Sequence, residues 1–550
     1  KKYKLAKNKL EMFKISTVFS YLLKFKEEFF NQFRKAYYRT NWYRKTLESK
    51  LPDQLSYFPR SYLLSSFVNQ NNNLFKISNI NTENFWSQKL SSKRELSLHN
   101  FLWLCLIDRK QEASSVRKII SNWLVYNESY NSKSWGLKTT SKRIISWILN
   151  ADIILDSKNI NFKNQFIKSI VIQTNHLKKN INLEKNINTR IQILVAVSLT
   201  GLIFREYDNY YEYATEELEK NLKYLYNNEF FPHSRNLNHL YKNLKYLILL
   251  KESAIEAHKN IPDYLFQIIE KNLSYLKTII TPESKLPLFN GVNEVSTEKF
   301  EDYLMNLNLK IKKVKSPIGD IVILRNKKDA IYVDVGGPPK KINSNNYQLG
   351  PLSFEYFFEG EKIITNCGYG SKISKKAEKL SRLSSAQSTI TLNNESVIKK
   401  DEIFNYKNSF KIYDTEFIND DTKMICIASH DAYYKKFGCK IRRQIELNKK
   451  DGNVYGLDEF IFDSTSENIF YDIRFHLFPK IQVIKTMSGE NYLIQLSKNK
   501  SLLFSSDKIS TKIEEGIYMG KNKILKNLCI NLSGRLRDNN VVKWSIKKNL

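Results

Sequence analysis

The hydrophobic period of this chain changes once, near residue 310, from helical to alternating. That change restricts the fold more than any other feature. From Leu96 to about Ile280, apolar residues recur at i, i+3 and i+4. Phe166, Ile167, Ile170, Val171, Thr174 and Leu177 mark one such stripe, and Ile144, Trp147, Ile148 and Ala151 mark another. Pro262, followed by Leu265, Ile268, Ile269 and Leu276, predicts a helix with proline in its first turn. About eight segments of this kind are joined by short polar stretches, as in consecutive antiparallel helix hairpins. Such hairpins either bundle or curl into a toroid, and periodicity does not choose between the two.

From Lys310 onward the period is two. Ile321 to Leu324 is a buried run, Asn326 to Asp329 a turn, and Ala330 to Val335 the returning strand. Strands are also predicted at Phe354 to Phe358, Ile363 to Thr365, Ser388 to Leu392, Lys411 to Glu416, Met424 to Ala428 and Arg443 to Leu447. Others follow at Asp472 to Leu477, Tyr492 to Leu496, Ser501 to Ser505 and Val541 to Lys547. Strands at this spacing predict a large antiparallel β-sandwich. The expected organisation is an N-terminal extension over 1–95, a helical domain over 96–309 and a sheet domain over 310–550. Asn69 to Asn73 reads as a polar loop, and Phe75, Ile77, Ile80, Phe85 and Trp86 as short strands or an extended connector. Thr281 and Pro282 mark a joint, and Leu286 to Gly291 a loop returning to the helical domain.

The net charge of +32 favours polyanionic partners: nucleic acid, anionic headgroups or acidic glycans. The lysines are spread rather than clustered, and abundant Lys, Asn and Ile would also follow from an AT-rich coding bias. Cys105, Cys367, Cys426, Cys439 and Cys529 form no CxxC pair and read as free buried thiols. No run of about 18 uncharged apolar residues predicts a membrane span. The basic, amphipathic start from Lys1 to Phe30 lacks a clean export signal. Walker loops, GxSxG elbows, HExxH helices and nucleic-acid modules are all missing, and none of the seven His is spaced as a local metal pair.

An ordered series of short motifs goes further. The helical part carries Leu98-His99-Asn100-Phe101-Leu102-Trp103-Leu104, then Trp135 with Thr139, Arg143, Ile144 and Trp147. His233-Ser234-Arg235-Asn236 and Leu288-Phe289-Asn290-Gly291 come next. The sheet part carries Val333-Asp334-Val335-Gly336-Gly337-Pro338-Pro339, Gly350-Pro351-Leu352-Ser353-Phe354-Glu355 and Asn366-Cys367-Gly368. It ends with Ala386-Gln387-Ser388-Thr389, Ser429-His430-Asp431-Ala432-Tyr433 and Arg474-Phe475-His476-Leu477-Phe478-Pro479. In this order the motifs, over roughly residues 95 to 550, resemble the heparinase II/III family of polysaccharide lyases. They are particularly similar to a proteobacterial heparinase II/III-like branch.

The resemblance implies an α/α toroid, an incomplete barrel of helix hairpins, followed by an antiparallel β-sandwich. It implies β-elimination at a uronic acid, in which donors neutralise the carboxylate, a base removes the C5 proton and an acid protonates the leaving O4. Carried over by position, the family's carboxylate-binding Asn falls on Asn188, and the residue after it, usually His, is Thr189. The catalytic Tyr falls near His239, which offers a substitute base. A glycine-histidine-any-histidine stretch falls on Asn345 to Gln348, with Asn346 and Gln348 in place of both histidines and Tyr347 between them. The zinc ligands of related lyases match Gln348, Asn366 and Gln387, neutral amides that are poor zinc ligands, so neither a metal nor any other cofactor is expected.

The candidate catalytic residues are therefore Asn188, His239 and Tyr347, and the candidate substrate-binding residues Trp135, His233, Arg235 and Gln348. Each has a structural reading beside it. Asn188 would cap its helix, His239 would be a satisfied structural imidazole, and Trp135 would be core rather than a sugar platform. His430 would bond at a strand end, His476 would be buried in the core, and Glu355 would be a buried, paired carboxylate. The expected function is cleavage of a uronate-containing anionic polysaccharide or oligosaccharide by β-elimination. The alternative is a catalytically degenerate glycan-binding or envelope-assembly protein. The expected compartment is the cell envelope or periplasm, with the cytoplasm left open. No nucleic-acid partner is expected, and oligomeric state is not legible.

Overall fold

The computed structural model describes residues 25–67, 85–86, 91–156, 158–340, 343–398, 410–462, 468–487, 489–497, 500–507, 510–536 and 540–548. The predicted loop at Asn69 to Asn73, the strands near Phe75, Ile77 and Ile80, and the chain start up to residue 24 lie outside these residues. Phe85 and Trp86 form a turn rather than a strand. The Trp86 ring lies parallel to that of His99 at 5.2 Å, and its N–H donates to the Ile119 carbonyl at 2.9 Å.

Two compact units account for the chain: Lys1–Asn221 with Lys245–Leu265, and Leu222–Leu244 with Phe266–Leu550. The division thus precedes the change of period at 310, and helices Asp208–Leu225, Leu237–Glu256 and Asp263–Ile279 contribute residues to both units.

In the first unit the helical stripes are where the period puts them. Helix Ile160–Asn180 starts at Asn159, whose side chain accepts from the Phe162 N–H, and buries Phe166, Ile167, Ile170, Val171, Thr174 and Leu177. Helix Ile187–Ile203 is buried on every face from Ile191 to Ile203, the signature of a helix surrounded by others. It packs on helices Leu137–Leu149 and Ile160–Asn180. The buried Arg143 guanidinium donates to Gln173 Oε1 at 2.7 Å and to the carbonyls of Ser134 and His99 at 2.7 and 2.9 Å. It also lies over the Trp123 ring at 4.3 Å, so neutral acceptors and a π-face hold this buried cation. No helix among the described residues is long and apolar enough to cross a membrane.

The second unit is antiparallel in every strand pair described. Strands β1 (Ile321–Arg325), β2 (Ala330–Asp334), β3 (Phe354–Phe358) and β4 (Glu361–Ile364) form a meander. After them come β5 (Ile390–Leu392), β6 (Ile412–Asn419), β7 (Lys423–His430), β8 (Cys439–Asn448), β9 (Val454–Phe462) and β10 (Phe470–His476). The chain ends with β11 (Gln482–Lys485), β12 (Tyr492–Ser497), β13 (Lys500–Ser506), β14 (Ser510–Tyr518), β15 (Leu525–Arg535) and β16 (Val541–Lys548). One sheet runs β11-β12-β13-β16-β9-β8-β7-β6 and another β14-β15-β10-β5. A shared core joins Val322 and Val333 of the meander to Ile445, Trp544 and Ile546 of the large sheet and to Ile473 and Phe475 of the third.

Strand β8 alternates buried and half-buried along its whole length, as the period of two requires. Strands β9, β11, β14 and β15 are not in the predicted set. In β9 the inward positions include Gly456 and Asp458. A Cβ on Gly456 would lie 1.9 Å from the Trp544 ring, so glycine makes room for the indole. Asp458 accepts from Arg443 on β8 at 2.6 and 3.0 Å and from the Trp544 N–H at 3.0 Å. The inward row is complete in space but not apolar in sequence. None of the five cysteines is in a disulfide, and burial pushes the thiols of Cys367, Cys426, Cys439 and Cys529 up to about 12.

Candidate functional site

Three loops of the second unit converge around His239. The first leads into helix Leu237–Glu256. Asn227 Oδ1 accepts the Glu229 and Phe231 N–H groups at 3.0 and 2.9 Å, which folds the loop back. Asn236 Oδ1 accepts the Asn238 N–H at 2.8 Å and caps the helix, placing His239 in its first turn. The second loop carries Asn290 and Gly291. The third, residues 343–350, carries Asn346, Tyr347 and Gln348. Gly291 has φ +90°, and a Cβ there would lie 2.5 Å from Asn346 Cβ and 2.9 Å from Asn236 Nδ2. Glycine is what lets the three loops meet.

His239 is half-buried and held at both nitrogens. Its Nδ1 lies 2.9 Å from Ser234 Oγ and its Nε2 lies 3.4 Å from Asn346 Nδ2. An amide nitrogen can only donate, so Nε2 is the acceptor and the ring proton sits on Nδ1, facing Ser234. Burial, assisted by the Lys242 charge, lowers the His239 pKa to about 4. The imidazole is neutral and able to accept a proton through the physiological range. His233 beside it is exposed.

The other sequence candidates of this unit are committed elsewhere. Arg235, at φ 54°, is buried. Its guanidinium ion-pairs with buried Asp334 and donates to the Gly336 and Gly337 carbonyls at 3.0 and 3.2 Å, with Asp320 at 3.4 Å. Asp334 also accepts from Asn290 Nδ2 and the Gly336 N–H, both at 3.1 Å. The expected carboxylate ligand is therefore a buried tie between the His239 loop and the end of β2. Tyr347, expected as a proton carrier, is 1% exposed and packs with Leu349, Ile398 and Phe410. Gln348, expected to touch substrate, is buried with its amide fully used. Its Oε1 accepts the Gly291 N–H at 3.0 Å, and its Nε2 donates to Gly368 O and Ser381 O at 2.9 and 2.7 Å.

The three amides at the expected zinc positions have other work. Gln387 Nε2 also donates to Ser381 O, at 2.8 Å, and Asn366 Oδ1 accepts the Ser388 N–H at 2.9 Å. Both glutamine nitrogens face carbonyls and the Cys367 sulfur, a donor arrangement that presents N–H rather than lone pairs to the centre. The residues present do not fit a metal ion. Among the described residues no three His, Cys, Asp or Glu side chains cluster in a way that could hold one.

In the first unit Asn188 is half-buried at the second position of helix Ile187–Ile203. The cap is Asn186, which accepts the N–H groups of Asn188 and Thr189 at 3.0 and 3.3 Å, so the capping reading belongs two residues earlier. Trp135, read as a sugar platform, is 4% exposed; its N–H donates to the Asn127 carbonyl at 3.0 Å and its ring packs edge-on against His176. It has no free face for a sugar.

Three residues of the sheet unit have structural roles. Glu355 is buried, with both oxygens 3.0 Å from Lys362 Nζ, one on the Thr365 hydroxyl at 2.9 Å and the other on the Leu288 N–H at 3.0 Å. His430 and His476 are buried, and burial lowers them to about 3 and about 4. His430 Nδ1 accepts from the Ala432 N–H at 3.3 Å, while Asp431 accepts from the Lys411 N–H at 2.6 Å, so the two do not pair. Ser234 and Asn346, which orient His239, are not in the sequence-derived set. Their signal was present in the Ser and Asn of His233-Ser234-Arg235-Asn236 and Asn345 to Gln348, but only the loop crossing brings them together.

Comparison with known proteins agrees with this architecture. Residues 314–545 match the family described as heparinase II/III-like, C-terminal. No curated protein matches the chain by sequence. Among solved structures, heparan sulfate lyase HepC from Pedobacter heparinus superposes with TM-score 0.66 at 12% identity, covering 92% of this chain and 87% of that one. A HepC mutant from the same organism gives 0.65 at 14%, covering 84% and 78%. A heparinase III crystal structure gives 0.60 at 13%, covering 88% and 84%. The shared fold is a helical toroid followed by an antiparallel β-sandwich, and within it residues 314–545 form a domain of the family described as heparinase II/III-like, C-terminal.

Proposed function

We propose that this protein is a polysaccharide lyase that cleaves a uronate-containing anionic polysaccharide by β-elimination, with His239 as the proton acceptor. The observation that carries the reading is a neutral imidazole, held in one tautomer by Ser234 and by Asn346, the latter within the heparinase II/III-like domain of residues 314–545. A neutral Nε2 takes the C5 proton as the C4–O bond breaks, leaving an unsaturated uronate, and the departing O4 takes a proton from solvent water. A base lowered to about 4 is weak in the free protein. A bound uronate beside it favours the imidazolium and raises its basicity when substrate is present. His233 is exposed next to the same loop and serves substrate binding, as does half-buried Asn346. The likeness to heparan sulfate lyase and heparinase III structures and the excess of cations support this substrate class. The proposed compartment is the cell envelope or periplasm, testable by fractionation.

The test is ultraviolet detection of the unsaturated uronate across sulfated and unsulfated uronic-acid polymers, with wild type and His239→Ala side by side. Product from wild type and a drop of about 10²–10⁴-fold in the variant support the proposal. Equal rates from both would remove His239 from the mechanism.

A second reading, binding without turnover, draws on the enclosure of Tyr347 and the commitment of Arg235 and Gln348. Saturable binding of the same polymers with no product from any of them selects it.

A further inference from the structure

The C-terminal end of helix Asp263–Ile279 meets the β1–β2 and β3–β4 turns around a pocket of about 610 Å³. Its lining shares no residue with the His239 cluster. Five cations reach it: Lys277, Lys313, Arg325, Lys327 and Lys328. Three carboxylates also line it, and each is already satisfied. Asp329 accepts from Asn326 Nδ2 and the Glu359 N–H, both at 2.9 Å, and so closes the β1–β2 turn. Glu359 pairs with Lys500 at 3.0 Å and Lys548 at 3.8 Å, cations that lie outside the pocket. Glu301 accepts from Thr297 Oγ1 at 2.9 Å and pairs with Lys277 at 3.7 Å.

Four cations remain against one carboxylate, Asp329, whose donors are neutral. Lys313, Lys327 and Lys328 are exposed and make no ion pair among the described residues. Arg325 is half-buried and has no carboxylate partner there either. Its guanidinium donates to the Ile280 carbonyl at 2.8 Å and to the Tyr332 phenol, while its Nε has no partner. Those bonds cover the negative end of the helix with a fixed cation. A built-in Arg beneath three exposed lysines, in a space the size of a small-ligand pocket, suits an oxyanion-bearing sugar residue.

We infer that this pocket is an accessory anion site that holds a sulfated or carboxylated sugar of the same polysaccharide while another stretch of it occupies the His239 cluster. The inference rests on the glycan reading above. Two contacts on one chain raise the effective concentration at the second, so the site acts on long chains and not on short ones.

The experiment uses the full chain and the double variant Lys327→Gln/Lys328→Gln, whose exposed turn positions leave the fold intact. Affinities are measured by calorimetry for a long sulfated uronate polymer, a long unsulfated one, a tetrasaccharide of each, and inorganic sulfate as competitor. The expected result is a loss of about five- to tenfold for the long chains, a shallower salt dependence and unchanged tetrasaccharide turnover. A loss restricted to the sulfated polymer assigns the pocket to sulfate esters, and a loss for both assigns it to carboxylates as well. Arg325→Gln, checked for folding by its melting temperature, is expected to give a further drop. Unchanged long-chain affinity in the double variant, or no long-chain binding by wild type, overturns the site. If wild type binds without producing unsaturated uronate and the variant still binds more weakly, the site stands and the lyase reading falls. If wild type cleaves and the variant matches it on long chains, the lyase reading stands and the site falls.

Discussion

Arg235→Met separates a guanidinium that binds ligand from one that holds the protein together. The Arg235 and Asp334 side chains are 8% and 6% exposed, and the arginine also donates to two carbonyls. Methionine fills much the same volume but leaves Asp334 buried with only Asn290 and the Gly336 N–H as donors. Breaking a buried pair from one side costs about 3–5 kcal/mol, because the remaining charge is uncompensated. The second salt bridge, to Asp320, adds little because that carboxylate is 61% exposed and screened by water. For a unit of this size the loss corresponds to a fall of roughly 5–15 °C in the melting transition of the sheet part. Differential scanning calorimetry reads it directly. The double variant Arg235→Met/Asp334→Leu removes both charges and is expected to recover most of the loss. A single variant that melts with wild type yet no longer binds uronate polymers would refute the structural assignment and return Arg235 to the ligand.

The remaining predictions use the same assays. For the free protein, the acid limb of kcat/KM lies near pH 4 rather than near 6.5, because His239 stays neutral until then; a limb at 6.5 removes it as the base. His99, His176, His239, His430 and His476 all have folded pKa values lowered by burial, to about 4, 3, 4, 3 and 4. The unfolded chain binds more protons than the folded one below about pH 6.5, so stability is full above that value and falls steadily toward pH 4. Urea titrations at pH 7.5, 6 and 5 check the order of midpoints. Gly291→Ala forces a Cβ into Asn346 and Asn236 from a left-handed backbone; it is expected to cost about 1–3 kcal/mol and to lower activity by disturbing the His239 partners. Chelator treatment is expected to leave the melting temperature unchanged, since Gln348 and Gln387 direct N–H groups, not lone pairs, at Ser381.

The order of helices before strands was determined by periodicity alone, because each stripe needs only neighbours along its own element to be visible. Phe166 to Leu177 and Phe354 to Phe358 were legible for that reason, and both are buried as elements. Strand β9 was not, because its inward row uses Gly456 and Asp458, which read as inward only once Trp544 and Arg443 are seen across the sheet. The site divided in the same way. Residue type and motif position marked His233 and His239 as chemistry. Whether a polar side chain faces solvent or closes a loop depends on what crosses it from elsewhere in the chain. Only tertiary contact turned Arg235 into a partner of Asp334, enclosed Tyr347 and Trp135, used up the Gln348 amide, and brought Asn346 to the imidazole. Local sequence sets the period of burial, but a buried charge or amide takes its meaning from partners that lie tens to hundreds of residues away.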